Sequence, residues 1–386
     1  MKFLALFLGM AMAANATAAD LLAVSTAPVA DLPRGLSIST TAFAADDFIA
    51  AKDIDDAWTQ PADPRAGRNL AVAFGRAGMD YTGDGWSVGV FTRADGFGRT
   101  NHDSIVVYQA SEDPLRLLDT NRTYGLDYEF TGFSAHGVRF AIALPLASET
   151  LSGSLALNLL KADRLRIERV VGQVEVEDGT ANIHGVRKLL YDGLDYESPT
   201  DPNPGRSDFR PATRKDGEAG YGYALDFALY WQATPELRVD LAVNDLLGKL
   251  SWKNVPLLTQ RVDVDGINQT QWPTRPGGMA SFNNTSRYQD VDLDLDPRMR
   301  LAATWTRDAL VLGASLSARS GAVLPEFSAG WQFAEEGIIA LSYETRFDSI
   351  GIGVRYGPLQ LALRADSTDV GEAKALGAAI GLNYHF

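Results

Sequence analysis

The chain closes on Leu376-Gly377-Ala378-Ala379-Ile380-Gly381-Leu382-Asn383-Tyr384-His385-Phe386. Leu376, Ala378, Ile380, Leu382, Tyr384 and Phe386 share one parity; Gly377, Ala379, Gly381, Asn383 and His385 share the other. Side chains alternate across a strand with period two, so the segment reads as a strand with one greasy face and one small or polar face. The same alternation recurs immediately upstream. Leu359, Leu361 and Leu363 oppose Gln360, Ala362 and Arg364; Ile350, Ile352 and Val354 oppose Gly351, Gly353 and Arg355. Phe327, Ala329, Trp331 and Phe333 oppose Glu326, Ser328, Gly330 and Gln332.

A secreted β-sandwich or soluble barrel would also alternate. Strands of roughly ten residues repeated in series, aromatics near their ends and a final aromatic residue favour a transmembrane β-barrel, apolar toward lipid and polar toward the lumen. The expected fold is therefore all-β: an antiparallel barrel of about 14 strands (12–16) with long extracellular loops. Tyr384 and Phe386 mark the expected assembly signal, read by the barrel assembly machinery through the last strand.

Composition fits that class. There is no cysteine among 386 residues, so neither disulfides nor thiolate metal sites arise. Seventeen Phe, thirteen Tyr and seven Trp supply interfacial girdles. A net charge of -14 argues against nucleic acid, which needs a basic footprint. Lys2, the apolar run Phe3 to Met12 and Ala16-Thr17-Ala18 read as a cleaved signal peptide over residues 1–18, too short to span a membrane as a helix. Residues 19–34, with Pro28 and Pro33, read as a periplasmic lead-in, and 35–386 as the barrel. The expected location is the outer membrane of a Gram-negative bacterium, in contact with lipid and lipopolysaccharide.

Along the chain, Leu36 to Phe43 begins a first strand, and the Pro-broken stretch 45–67 reads as a loop or lumen plug. Asp103 to Gln109 reads as a weak strand. Tyr124 to Phe130 and Val138 to Leu144 read as two faces joined by a turn at Gly132. Fourteen strands follow if 36–43 and 103–109 stay out of the wall. Two long inserts, 163–217 and 254–297, fall outside the cell if Phe386 is periplasmic; Arg164 to Glu177 extends a strand above the membrane.

Few residues offer chemistry. His102, His136, His184 and His385 lack the Ser and Asn neighbours of a barrel hydrolase, so no catalytic set and no enzyme is expected. Asp263-Val264-Asp265-Gly266 fails as a calcium loop because Arg261 and Trp272 would take its first and twelfth positions. Asp290, Asp292, Asp294 and Asp296 alternate and invite a divalent cation or lipopolysaccharide, although such rows are more often simply solvated. No cofactor or metal is assigned. The lumen holds the better candidates: Asp226, Arg238, Asp240, Arg298, Arg300, Arg319, Glu326, Glu344, Arg355 and Arg364 all fall on polar faces. A barrel this wide is not filled by side chains alone and must hold water, a plug or a ligand.

Gly220-Tyr221-Gly222-Tyr223-Ala224-Leu225-Asp226 followed by Asn244-Asp245-Leu246-Leu247-Gly248-Lys249-Leu250-Ser251-Trp252 resembles the central hairpin of FadL-like barrels, as does Asp369-Val370-Gly371 before the last strand. The chain is also similar to TraF-like outer-membrane proteins. The likeness spans roughly residues 218–386. FadL's Asn-Pro-Ala signature in the amino-terminal plug has no counterpart. The resemblance implies a channel for a small hydrophobic or amphipathic molecule. The alternative is a non-transporting component of a conjugation, secretion or surface apparatus, acting through the two long inserts.

Overall fold

Each alternating segment forms a strand with one exposed and one covered face: on the fifteenth strand Leu363 is 61% exposed while the adjacent Arg364 is 2% exposed. The computed structural model describes residues 34–51, 62–112, 116–146, 148, 150–192, 219–269 and 281–386. The first segments are β1 (Gly35–Asp46), β2 (Arg68–Gly83), β3 (Trp86–Asn101), α1 (His102–Glu112), β4 (Arg122–Leu144) and β5 (Leu151–Glu177). Then come β6 (Thr180–Asp192), β7 (Gly220–Gln232), β8 (Leu237–Asn268) and β9 (Ser281–Asp294). The closing series is β10 (Arg298–Arg307), β11 (Leu310–Arg319), β12 (Ala322–Ala334), β13 (Gly337–Glu344), β14 (Ser349–Tyr356), β15 (Leu359–Ala365) and β16 (Ala375–His385).

All pairings are antiparallel, and the ring closes where β1 pairs with β16 from Gly35↔His385 to Ala45↔Ala375. Sixteen strands make a barrel of 14 because two places in the wall are shared. β5 pairs first with β7 and, above Leu165, with β6; β8 does the same from the other side. β6 and β7 therefore lie in line, one above the other. Likewise β9 and β10 share the next place, beside β8. β6 and β9 belong to the 163–217 and 254–297 inserts and raise the wall on that side.

The strand count agrees with the sequence, but for a different reason. Leu36 to Phe43 does enter the wall, within β1. Asp103 to Gln109 is helical, within α1: Asn101 caps it by accepting from the Ser104 amide at 3.0 Å, and Ile105, Val107 and Ala110 are buried. β-branched Ile105, Val106 and Val107 favour a strand, yet the cap and the buried face prevail. Gly132 makes no turn; β4 runs straight through it.

The outer surface of the ring carries exposed Leu301, Leu312, Leu341, Ile352 and Leu361, with rings nearer the termini of the strands. Phe333 stacks parallel to Tyr356 at 6.2 Å, and Tyr81 lies 5.6 Å from Trp86 and 6.3 Å from Phe386. So continuous an apolar belt with aromatic borders is a lipid-facing surface. Among the described residues no helix is long and apolar enough to cross a membrane. The segments expected as signal peptide and lead-in lie, Arg34 apart, outside the described residues, as do Ile54 and Trp58 of the 45–67 stretch.

Candidate functional site

The lumen is crossed at its waist. On β3, inward positions Phe91, Arg93, Asp95 and Phe97 are all buried. Arg93 donates from Nη1 and Nη2 to the two oxygens of Asp245 on β8, each at 2.8 Å, and from Nε to Asp95 Oδ2 at 2.8 Å. Arg298 on β10 donates to Asp245 at 3.0 Å and to Asp95 at 3.3 Å; Arg319 on β11 donates to Asp95 at 3.2 Å. In the ring order β3 stands across from β10 and β11. Single side chains thus span a lumen that a round barrel of this size would leave too wide for them.

A bulge aims Asp245 inward. Phe227 pairs with Val243 and Leu225 with Leu247, so Asn244, Asp245 and Leu246 face the single residue Asp226. Asp245 adopts a left-handed φ of 56°, and its amide donates to Asp226 Oδ1 at 3.0 Å. Asn158 donates to the other Asp226 oxygen at 2.8 Å. On the far side of β8, the break between β9 and β10 falls at the same height, where the Leu295 amide donates to Gly248 O at 2.9 Å. A bulge re-aims a side chain at the cost of local pairing, and here both neighbouring ladders yield together.

Apolar packing flanks the ion network. Phe43, Leu70, Val72, Phe74, Phe97 and Phe347 form one cluster, with Leu324 of β12 packed against it. Phe91, Phe133, Leu160, Leu165, Leu250 and Trp252 belong to a second. Between the β2–β3 and β10–β12 walls lies a cleft lined by Val72, Phe74, Phe97, Leu324, Asn244, Arg298, Arg300 and Arg319.

The sequence-derived lumen residues fall into separate groups. Arg298, Arg300 and Arg319 line the cleft, and Asp226 supports the bulge from below. Arg364 reaches across three neighbouring strands, donating to Ser349 at 3.1 Å, Ser342 at 2.8 Å and Glu326. Glu344 accepts the amides of Arg346 at 2.6 Å and Phe347 at 2.9 Å, fixing the turn that inserts Phe347. Arg238 and Asp240 pair along one strand face, Nε to Oδ1 at 2.9 Å, with the Arg238 guanidinium 4.5 Å from the centroid of the Tyr230 ring; Arg355 is exposed. Tyr384 and Phe386 are exposed, with ring centroids 5.9 Å apart.

Sequence reading missed Arg93, Asp95 and Asp245. Beyond Val90, β3 places Phe91 and Phe97 inside along with the charges, so apolar alternation no longer separates lumen from lipid. Asp245 has outward parity until the bulge turns it. The only available signal was the Asn244-Asp245 step itself, two residues tolerant of left-handed backbone.

Above the barrel two aspartates of the row, Asp290 and Asp292, are engaged by neighbouring side chains. Asp290 accepts from Lys253 at 2.7 Å; Asp292 pairs with Lys249 at 2.8 Å and accepts from Ser251 at 2.6 Å. Hydrogen bonds from these partners hold both carboxyls below the usual range. His136 sits 3.0 Å from Asp163, and His184 lies 2.5 Å from Asp263; all four are exposed. Among the described residues no three His, Asp or Glu side chains converge as metal ligands.

Fold and lumen together define the class, a membrane-spanning β-barrel whose lumen is crossed by a buried ion network. In solved structures the chain is similar to the Pseudomonas putida toluene transporter TodX, at 9% identity over 98% of this chain and 96% of that one, with a TM-score of 0.48. It is similar to the Ralstonia pickettii toluene transporter TbuX at 10% identity, over 98% and 96%, with a TM-score of 0.47. The monoaromatic hydrocarbon channel CymD aligns at 10% identity over 99% and 96%, with a TM-score of 0.34. No protein-family model and no curated protein matches the sequence. The expected likeness to TraF-like proteins is not supported. Identity this low carries no ligand across; the lumen's own side chains decide what it holds.

Proposed function

We propose that this chain is an outer-membrane channel for a small hydrophobic or amphipathic molecule, closed at rest by its waist. What supports the reading is the composition of that waist: an ion network flanked by buried phenylalanines and leucines, where a general porin would line its pore with water-facing charge. A small apolar solute finds packing partners there, whereas a hydrated ion meets desolvation. Passage then requires the walls to part.

The test is uptake of N-phenylnaphthylamine, a fluorescent apolar probe that an intact lipopolysaccharide leaflet excludes, together with conductance in planar bilayers. Cells carrying the protein should take up the probe faster than cells without it, while the wild-type barrel conducts ions poorly. Asp245→Asn should raise conductance. A barrel that admits no probe and stays electrically silent in both forms sinks the reading.

The raised wall of β5, β6, β8 and β9 favours one other reading, a non-transporting component of a surface apparatus. In that case deleting the raised part abolishes function and leaves probe uptake unchanged.

A further inference from the structure

The cleft between the β2–β3 and β10–β12 walls has more positive charge than its neighbours consume. Arg93 satisfies both oxygens of Asp245 and also binds Asp95. The two carboxylates are thus shared among three guanidiniums, Arg93, Arg298 and Arg319. Arg298 and Arg319 keep contacts of 3.0–3.3 Å, longer than the 2.7–2.8 Å contacts of Arg93. The Nε groups of Arg298 and Arg319 and the Nδ2 of Asn244 are buried with no hydrogen-bond acceptor, and all three residues line the cleft. Asn244 is only 4% exposed. Buried donors without acceptors are costly, and three lining one cleft beside surplus positive charge call for an anionic acceptor.

The rest of the lining is apolar and includes two phenyl rings. Phe74 and Phe97 come from the opposite wall, with Leu324 beside them. The Arg319 guanidinium stands 5.3 Å from the centroid of Phe97, so the cationic and aromatic surfaces meet. A ligand matching both is flat and compact, with an apolar ring and one carboxylate.

We propose that this cleft binds a small aromatic carboxylate, its ring against Phe74, Phe97 and Leu324 and its carboxylate on Arg298, Arg319 and Asn244. This deepens the channel reading above and rests on it for its physiological use. Because Arg298 and Arg319 also hold Asp95, the bound carboxylate competes with the contacts that tie β3 to the far wall. Ligand binding and opening of the waist are therefore coupled.

The test is calorimetric titration of the intact protein in detergent with benzoate, benzyl alcohol and acetate. Benzoate should bind at least about tenfold tighter than either control. Arg319→Gln should lower benzoate affinity by about tenfold and leave benzyl alcohol unchanged. Leu324→Trp fills the cleft from a position outside the ion network and should abolish benzoate binding; retention of the folded, heat-modifiable band on gels establishes that both variants are folded. Equal affinity for benzyl alcohol overturns the role of charge. Equal affinity for acetate overturns the role of the ring, and unchanged benzoate binding in Leu324→Trp places the site elsewhere. Each of these leaves N-phenylnaphthylamine uptake intact if the channel reading holds, so the two failures are distinguishable.

Discussion

Asp245 lies among three charged or polar partners, and its worth is set by what its loss would strand. Asp245→Asn leaves Arg93 buried with half its counter-charge, a change that costs about 3–5 kcal/mol when a buried pair is broken from one side. Replacing both partners by apolar residues, Arg93→Met with Asp245→Leu, should recover most of that loss while still opening the waist to ions. Denaturant unfolding of Asp245→Asn and of the four corners of the Arg93→Met, Asp245→Leu cycle checks the stabilities; bilayer conductance checks the opening. Additive losses in the double variant would mean that the two side chains act independently. A second residue depends on space alone. A Cβ on Gly220 would sit 2.4 Å from the ring of Trp252, itself 1% exposed. Gly220→Ala should therefore destabilise the barrel by about 1–3 kcal/mol through overpacking, measured by the same unfolding assay.

At the scale of the strand, β8 carries the most information and was the hardest to read. Its lower half alternates apolar Leu237, Val239, Leu241 and Val243 with Arg238, Asp240 and Asn244, and that much was legible because lipid accepts only apolar side chains. The bulge over Asn244 to Leu246 resets the parity, and no local hydrophobic pattern announces it. α1 was misread for the opposite reason: Ile105 to Val107 carry strand-forming side chains, but the fold offers them a buried helical face. The β8–β9 ladder makes a prediction about pH. Asp290 and Asp292 have carboxyl pKa values lowered from the ordinary 3.8 by Lys253 and Lys249. A group lowered on folding stabilises above its unfolded pKa and loses that contribution as pH falls through the folded value. Deuterium uptake across residues 287–294, corrected for intrinsic exchange, should therefore rise as pH drops from about 5 to about 3. The rise should be blunted in Lys249→Met with Lys253→Met, which lacks the pairs at every pH; equal profiles would contradict the assignment.

For the whole molecule, the belt and the ring were legible and the waist was not. Lipid imposes one rule on every outward residue, so Leu376 to Phe386 and the strands before it repeat a pattern that survives a change of partner. The lumen imposes no common rule. Phe97 and Arg93 face it four positions apart on a strand, and only the opposite wall explains why. Closure belongs to this scale as well, because β1 and β16 hydrogen-bond along eleven residue pairs and neither has another partner for that edge. We propose that Tyr384 and Phe386 present the last strand for assembly before that closure. Phe386→Ala should slow appearance of the folded, heat-modifiable form in cells by several-fold while leaving unassisted refolding into detergent unchanged. An equal slowing of both would make the residue a packing element only.

β6 and β7 occupy one place in the wall, and the chain departs it at Asp192 and returns at Gly220. The hydrogen-bond ladders of β5 and β8 register the departure and the return and are blind to the mileage between. Each of the two stacked strands therefore keeps its own register: among the described residues, a one-residue slip of β6 along β5 and β8 leaves every pairing of β7 with the same two strands intact.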